Sequence, residues 1–166
     1  MKFCYECGTK LVEKHLDGEG EIPFCERCGT FRFPIFNTAV SMEVLSPARD
    51  KIVLIKQYGK DKNILVAGYV NRGETAEEAV AREVFEELGV AVNEIAFNKS
   101  AFYEPSNTLM LNFSCVAETE ELHINEKEVD SAAWFTLDEI EREIFQGSLA
   151  HRFLLEFLQK YRKEIL

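Results

Sequence analysis

Three glutamates within one short segment could hold a divalent metal ion. Glu83, Glu86 and Glu87 stand at positions i, i+3 and i+4, so a helix would place their carboxylates on one face. Carboxylates crowded in this way repel one another at neutral pH unless a positive charge lies among them. Hard oxygen ligands favour Mg²⁺ or Mn²⁺. The segment therefore predicts a metal site of the kind that could act on a diphosphate.

The same segment carries the start and stop signals of a helix. Thr75, followed three residues later by Glu78, forms a capping box, and Gly89 suits the left-handed conformation that ends a helix. The spacing therefore predicts a helix over residues 76–88. Its apolar stripe, which would pack on a sheet, consists of Ala76, Val80, Val84 and Leu88.

Arg82 lies among these carboxylates and is predicted to have a structural role. It can pair with Glu78 or Glu86, four residues away on either side, or reach back to Glu74 and brace the loop before the helix. A solvent-exposed acidic helix is the rival interpretation of a run of glutamates. Such a helix has no need of glycine, glutamate and arginine at fixed intervals around it, so the metal site is favoured.

The composition is typical of a compact enzyme. The chain has 166 residues, of which 46% are hydrophobic, enough for one core and one small accessory module. A net charge of −10 disfavours nonspecific binding to nucleic acid or anionic membranes, although a bound metal ion would reverse the potential at the site itself. The sequence contains neither an apolar run of membrane-spanning length nor a signal-peptide core. We therefore expect a cytoplasmic protein.

Four of the five cysteines form two Cys-x-x-Cys pairs, each followed by a glycine. Two such pairs are typical of a tetrahedral structural zinc site, and a reducing cytoplasm disfavours the rival disulfides. The pattern predicts a zinc ribbon over residues 1–34 with the ligands Cys4, Cys7, Cys25 and Cys28. The fifth cysteine, Cys115, lies in an alternating apolar stretch and is predicted to be a buried core thiol.

The predicted ribbon has no excess of basic charge. Residues 1–35 contain five lysines and arginines against six aspartates and glutamates. No phosphate-binding surface is therefore predicted. A folding or dimerisation module is favoured over a nucleic-acid-binding one.

After Pro34 the pattern changes to alternating apolar and polar residues, which is typical of strands. The predicted strands cover residues 37–45, 52–57, 64–70, 95–103, 109–117 and 134–136. A short helix is predicted over residues 138–145, and Ser148 is expected to cap a final helix. In that helix the apolar residues at helical spacing are Leu149, Phe153, Phe157, Tyr161 and Ile165. Helices at two places on a mixed sheet predict an α/β/α sandwich over residues 35–166.

The spacing around the first helix resembles the Nudix hydrolase family. Gly68, Glu74 and the run Arg-Glu-Val-x-Glu-Glu-x-Gly-Val from Arg82 to Val90 match every fixed position of the Nudix box. The resemblance implies the α/β/α fold. It also implies metal-dependent hydrolysis of a nucleoside diphosphate linked to another group.

A cysteine ribbon directly before such a domain is similar to the NADH pyrophosphatase branch of the family. The start of the box, Ala67-Gly68-Tyr69-Val70, points to the same branch. A downstream motif of the branch is matched at Ser100, Leu109 and Met110, with Tyr103 in place of its tryptophan. NAD(H), split into AMP and nicotinamide mononucleotide, is therefore the substrate that the resemblance implies.

The resemblance assigns roles to individual residues. The positions that match metal ligands are the backbone carbonyl of Ala67 and the carboxylates of Glu83, Glu86 and Glu87. Glu83 or Glu86 would accept the proton of the attacking water. A further catalytic and metal-binding glutamate outside the box is matched by Glu128, six residues before Trp134, and Glu126, on the same face of a strand, is its rival.

The resemblance also gives substrate-contacting positions. They are Tyr69, Ala101, Phe102, Tyr103, Glu104, Pro105, Ser106, Asn107, Thr108 and Ala150. Alternative substrates are ADP-ribose, other nucleotides and an NAD-capped RNA end. A noncatalytic nucleotide-sensing or nucleic-acid-binding regulator is the alternative from another class. A homodimer is also implied.

Overall fold

The computed structural model describes residues 1–164. The chain divides into two compact units, Met1–Phe36 and a second unit that begins at Asn37. In the described part of the chain, no helix is both long and apolar enough to cross a membrane.

The first unit is a three-stranded antiparallel sheet with a tight turn at each cysteine pair. Its strands are β1 (Val12–Leu16), β2 (Gly20–Cys25) and β3 (Thr30–Phe31). Both turns end on a glycine with positive φ, 71° at Gly8 and 67° at Gly29. The backbone N–H of Gly8 donates to the carbonyl of Cys4 at 2.9 Å, and Gly29 repeats this contact with Cys25 at 2.8 Å. Each glycine therefore closes a turn that a side chain would strain.

The second unit is built on a mixed six-stranded sheet in the order β7-β8-β4-β5-β9, with β6 paired to β4. The parallel pair is β4 and β8, and all the other pairs are antiparallel. The strands are β4 (Asn37–Leu45), β5 (Lys51–Lys56), β6 (Val66–Tyr69), β7 (Val92–Tyr103), β8 (Thr108–Ala117) and β9 (Ser131–Thr136). The helices are α1 (Ala76–Leu88), α2 (Ile140–Glu143) and α3 (Leu149–Glu164).

Apolar side chains cover both faces of this sheet, because alternate residues of β4 point to opposite sides. The core on the α1 side includes Val40, Met42, Val44, Val84 and Leu88. The core on the α3 side includes Leu45, Leu54, Phe153, Leu154 and Phe157. The predicted α/β/α sandwich is confirmed.

Most elements lie where the sequence predicts them. The first helix and the strand Asn37–Leu45 have the predicted bounds. Ser148 caps α3, since its hydroxyl accepts the N–H of His151 at 3.0 Å. The helix predicted over residues 138–145 is only the short α2, because its first residues form a turn after β9. Ile165, expected on the apolar face of α3, lies outside the described residues.

Cys115 is a buried core thiol, as predicted. It is 1% exposed and packs in the core on the α1 side. Burial raises its pKa to about 12, and the nearby carboxyl of Glu43 adds to this effect. The thiol therefore stays protonated and unreactive at neutral pH.

Glu43 is a carboxylic acid enclosed within the second unit. It is fully buried on β4, and its two oxygens accept hydrogen bonds from the side-chain amides of Asn98 and Asn112, each at 3.1 Å. Burial raises its pKa from 4.5 to about 8, although both hydrogen bonds oppose that rise. The folded protein therefore holds the Glu43 proton more tightly than the unfolded chain does. The stability that this tighter proton binding contributes to the folded state is complete below pH 4.5. It is lost as pH rises through about 8.

The Glu43→Gln variant is expected to remove this pH dependence. At pH 9 its free energy of unfolding should exceed that of the wild type by a few kcal/mol, because no carboxylate is then buried. The difference should shrink or reverse at pH 5. Urea denaturation at both pH values measures it, with the exposed Glu118→Gln as the control. An equal difference at the two pH values would show that Glu43 does not titrate in this range.

Candidate active site

Helix α1 is fixed at its start by side-chain caps and at its end by a glycine cap. The hydroxyl of Thr75 accepts the N–H of Glu78 at 3.2 Å, and the Glu78 carboxylate accepts the N–H of Thr75 at 2.7 Å. At the other end Gly89 has φ of 68° and donates its N–H to the carbonyl of Phe85. The predicted capping box and left-handed cap are both present, so local sequence alone sets the position of the acidic face.

Gly68 lets strand β6 approach the acidic face of α1. A Cβ atom at this position would lie 1.8 Å from Cδ of Glu83. Any side chain here would therefore displace the Glu83 carboxylate. Ala67, the residue before Gly68, and Glu83 both line the same cavity.

Arg82 joins the loop before α1 to the acidic face. Its guanidinium donates to both carboxylate oxygens of Glu74 at 3.0 and 2.7 Å, and to the carbonyl of Tyr69 at 3.0 Å. It also donates to Glu83 at 2.8 Å and to Glu86 at 2.9 Å. The Arg82 guanidinium lowers the pKa of Glu74 to about 2. Arg82 thus braces the loop and offsets part of the acidic charge, which is the structural role expected of it.

Glu87 is the most deeply buried carboxylate of the acidic face. It is 4% exposed, and burial raises its pKa to about 8, a rise that repulsion by Glu83 and Glu128 increases. One of its oxygens, Oε1, accepts a hydrogen bond from Gln57 at 2.7 Å. The other, Oε2, is buried with no hydrogen-bond partner among the described residues. A buried, unpartnered carboxylate oxygen is costly alone but is what a hard cation would coordinate.

Three carboxylates of the acidic cluster line a cavity of about 780 Å³ in the second unit. Its acidic wall consists of Glu83, Glu87 and Glu128. The remainder includes five aromatic side chains, namely Tyr58, Tyr69, Tyr103, Phe145 and Phe153. The start of α3, including Ser148 and Ala150, completes the wall. The cavity can therefore take a ligand with a polyanionic part and a flat, stacking part.

Glu128 reaches the cavity from a turn, and the expectation that it lies on a strand with Glu126 is wrong. Residues 118–130 form a loop, and the backbone N–H groups of Glu128 and Val129 both donate to the carbonyl of Asn125 at 2.9 Å. The buried Val129 anchors this turn in the core. Glu128 lines the cavity, whereas Glu126 lies outside its wall.

The segment 101–108 contributes to the cavity only in part. Tyr103, Ser106 and Thr108 line it. The predicted contacts that lie outside the wall are Ala101, Phe102, Glu104, Pro105 and Asn107. Strand alternation explains this for Phe102, which points to the opposite side of β7 from Tyr103. Ala101 shares the face of Tyr103 but packs against the core on the α3 side. A short 3₁₀ helix over Glu104–Ser106 then turns the chain. Glu86, exposed on α1, is likewise outside the wall.

Several cavity residues are absent from the predicted set of site residues. They include Gln57, Tyr58, Met110, Phe145 and Ser148. These residues belong to separate strands and loops, and only the packing of β5, β8 and α3 brings them together. The turn-rich segment after β5, where Tyr58 and Gly59 both have positive φ, is the one local pattern that could have suggested a functional loop.

The α/β/α sandwich, with a capped acidic helix packed closely against Gly68 of β6, defines a protein of the Nudix class. The chain belongs to this family, since the model of the NUDIX domain matches residues 36–156.

Known proteins place the chain within the family. It is 30% identical to the NAD-capped RNA hydrolase NudC of Pseudomonas aeruginosa over 96% of this chain and 56% of that protein. It is also 30% identical to human NAD-capped RNA hydrolase NUDT12, over 84% of this chain and 32% of that protein. The chain thus spans little more than half of the bacterial relative. A NUDIX hydrolase structure from Nitrosomonas europaea covers 98% of this chain and 93% of its own, with a TM-score of 0.71 at 22% identity. The predicted resemblance to this branch is confirmed.

Proposed function

We propose that this chain is a metal-dependent pyrophosphohydrolase that splits NAD(H) into AMP and nicotinamide mononucleotide. The single observation that carries the proposal is that Glu83, Glu87 and Glu128 line the same cavity as several aromatic side chains. A diphosphate joining two nucleosides has the matching form, since its charge lies in the middle and a flat ring lies at each end. Relatives named as NAD-capped RNA hydrolases support the same substrate group.

The residues of the acidic cluster fit a divalent metal ion. The groups that would hold Mg²⁺ or Mn²⁺ are the carbonyl of Ala67 and the carboxylates of Glu83, Glu86, Glu87 and Glu128. They are all hard oxygen donors, and Oε2 of Glu87 is buried without a partner in the described chain. When bound, such an ion supplies charge neutralisation of the diphosphate and an activated water.

A glutamate of the acidic cluster would accept the proton of the attacking water. Of the two glutamates proposed as proton acceptors, Glu83 lines the cavity and Glu86 does not. Glu83 is therefore the better-placed general base. The water oxygen bonds to one phosphorus, the bridging P–O bond breaks, and addition of one water leaves two phosphate monoesters.

The aromatic side chains of the cavity would bind the bases. Tyr69 and Tyr103 are 55% and 41% exposed, so their rings are available for stacking. Ser106, Thr108 and Ala150 add small polar and apolar surface beside them. These five residues are the part of the predicted substrate set that we assign to the nucleotide.

A structural Zn²⁺ in the first unit is the second part of the proposal, with residues 1–34 as a zinc ribbon and 35–166 as the Nudix domain. The sulfurs of Cys4, Cys7, Cys25 and Cys28 all lie within 4.8 Å of one another. Two Sγ pairs are 4.0 and 3.5 Å apart, close to the ~3.8 Å that a tetrahedron with Zn–S bonds near 2.3 Å requires. A disulfide needs about 2.05 Å.

A panel of substrates tests the proposed activity. NADH, NAD⁺, ADP-ribose, diadenosine polyphosphates, nucleoside triphosphates and an NAD-capped RNA are incubated with Mg²⁺ or Mn²⁺, and products are separated by chromatography. NADH or NAD⁺ is expected to be the best small substrate and to yield two mononucleotides. Faster turnover of ADP-ribose or a triphosphate would overturn the NAD(H) assignment, and no turnover of any compound would favour a nucleotide-sensing regulator.

A further inference from the structure

Gln57 contacts the acidic cluster although it lies outside the Nudix box. It follows the last residue of β5 and lines the cavity. Its side-chain amide donates to Oε1 of Glu87 at 2.7 Å, across 30 residues of sequence. Among the described residues this is the one hydrogen bond to the Glu87 carboxylate, because Oε2 has no partner. The two oxygens of Glu87 are therefore inequivalent before any ligand arrives.

The chemistry of the donor matters at this position. Glu87 faces the negative charges of Glu83, Glu86 and Glu128, so the carboxylate would otherwise turn away from them or take up a proton. A lysine or arginine here would neutralise Glu87 and compete with a metal ion for it. The glutamine amide is neutral, so it can fix the orientation of the carboxylate and leave the whole negative charge for a cation.

The backbone around Gln57 is itself tied to the loop that carries Glu128. The carboxylate of Asp130 accepts the N–H of Gly59 at 2.7 Å, and the N–H of Asp130 donates to the carbonyl of Lys56 at 2.8 Å. These bonds flank Gln57 on both sides. The turn that holds the amide is therefore hydrogen-bonded to the loop that supplies Glu128.

We infer that Gln57 is a positioning residue that holds Glu87 through Oε1 and presents Oε2 to the catalytic metal ion. The inference rests on the proposed metal site. Outer contacts of this kind set the orientation of a ligand, and their loss typically weakens metal affinity about 10- to 100-fold.

The Gln57→Met variant tests this role, because methionine has similar length and lacks the N–H donor. Binding of Mn²⁺ to the full chain is followed by the electron paramagnetic resonance signal of the free ion, without substrate. Gln57→Met is expected to weaken Mn²⁺ binding about 10- to 100-fold. The Mn²⁺ concentration for half-maximal activity should rise by the same factor, with kcat at saturating Mn²⁺ largely restored. The matched control is Gln159→Met on the exposed face of α3, which should bind Mn²⁺ like the wild type.

Two results would overturn the inference. One is an unchanged Mn²⁺ affinity in Gln57→Met. The other is a loss of kcat that saturating Mn²⁺ does not restore. If Gln57→Met does not fold, the shorter Gln57→Asn serves instead, since its amide cannot span the same contact, and the same weakening is expected. Because Mn²⁺ binding is read without turnover, a wild-type protein that binds Mn²⁺ but hydrolyses no dinucleotide would refute the proposed function and leave the role of Gln57 standing.

Discussion

Replacing Glu87 by glutamine is expected to lower kcat for dinucleotide hydrolysis by at least about 100-fold, the upper end of what losing an outer contact to a metal ligand costs. The amide keeps the shape of the side chain but removes the negative charge that a metal ion requires. Metal-free Glu87→Gln should nevertheless be at least as stable as the wild type at pH 8. Burial raises the pKa of Glu87 to about 8, so the buried carboxylate itself opposes folding as pH rises from 4.5.

Steady-state kinetics and urea denaturation together check this prediction. The matched control is Glu77→Gln, an exposed carboxylate in the first turn of the same helix, which should keep the wild-type kcat. A variant that is inactive and clearly destabilised would show that Glu87 has a structural role. Activity close to that of the wild type would remove Glu87 from the proposed metal site.

Replacing Cys25 by serine is expected to unfold the first unit. In the described chain, the buried residues of Met1–Phe36 are only Cys4, Cys25 and Arg32, so this unit has almost no hydrophobic core. Structural zinc in comparable small sites contributes roughly 10–16 kcal/mol of binding free energy, which is also folding free energy. Without it, short strands with so little buried surface cannot offset the loss of conformational entropy.

Metal content and proteolysis measure the effect of Cys25→Ser. The wild-type chain should hold one zinc ion by mass spectrometry of metals and resist cleavage within residues 1–36. Cys25→Ser should lose the zinc and be cut there, whereas the core substitution Cys115→Ala should keep it. Zinc retained at full stoichiometry in Cys25→Ser, or resistance to protease without zinc, would contradict the assignment.

Local signals explain why α1 and the two cysteine turns could be predicted from sequence. Thr75, Glu78 and Gly89 act on their own neighbours, so the bounds of α1 follow without tertiary information. Local contacts also explain which of the candidate glutamates pair with Arg82. Glu78 is engaged in the capping box, which leaves Glu74 and Glu86, and the structure adds Glu83.

Contacts between distant segments explain what could not be predicted. Gln57 and Phe145 carry no motif, and they join the cavity only through the packing of the sheet and α3. Glu43 shows the same limit, since a glutamate in a predicted strand gives no sign that two asparagines will enclose it. The family resemblance favours Glu128 over Glu126, but the position of Glu128 depends on a turn that strand alternation does not reveal.

The most direct test of the central claim is ³¹P nuclear magnetic resonance of NADH incubated with the wild-type chain and Mg²⁺. The account predicts that the diphosphate signals disappear and two monophosphate signals replace them at equal intensity. This change should require Mg²⁺ and should not occur with Glu87→Gln. Diphosphate signals that persist in the presence of a wild-type chain shown to bind Mg²⁺ would contradict the claim that this acidic cluster hydrolyses a dinucleotide.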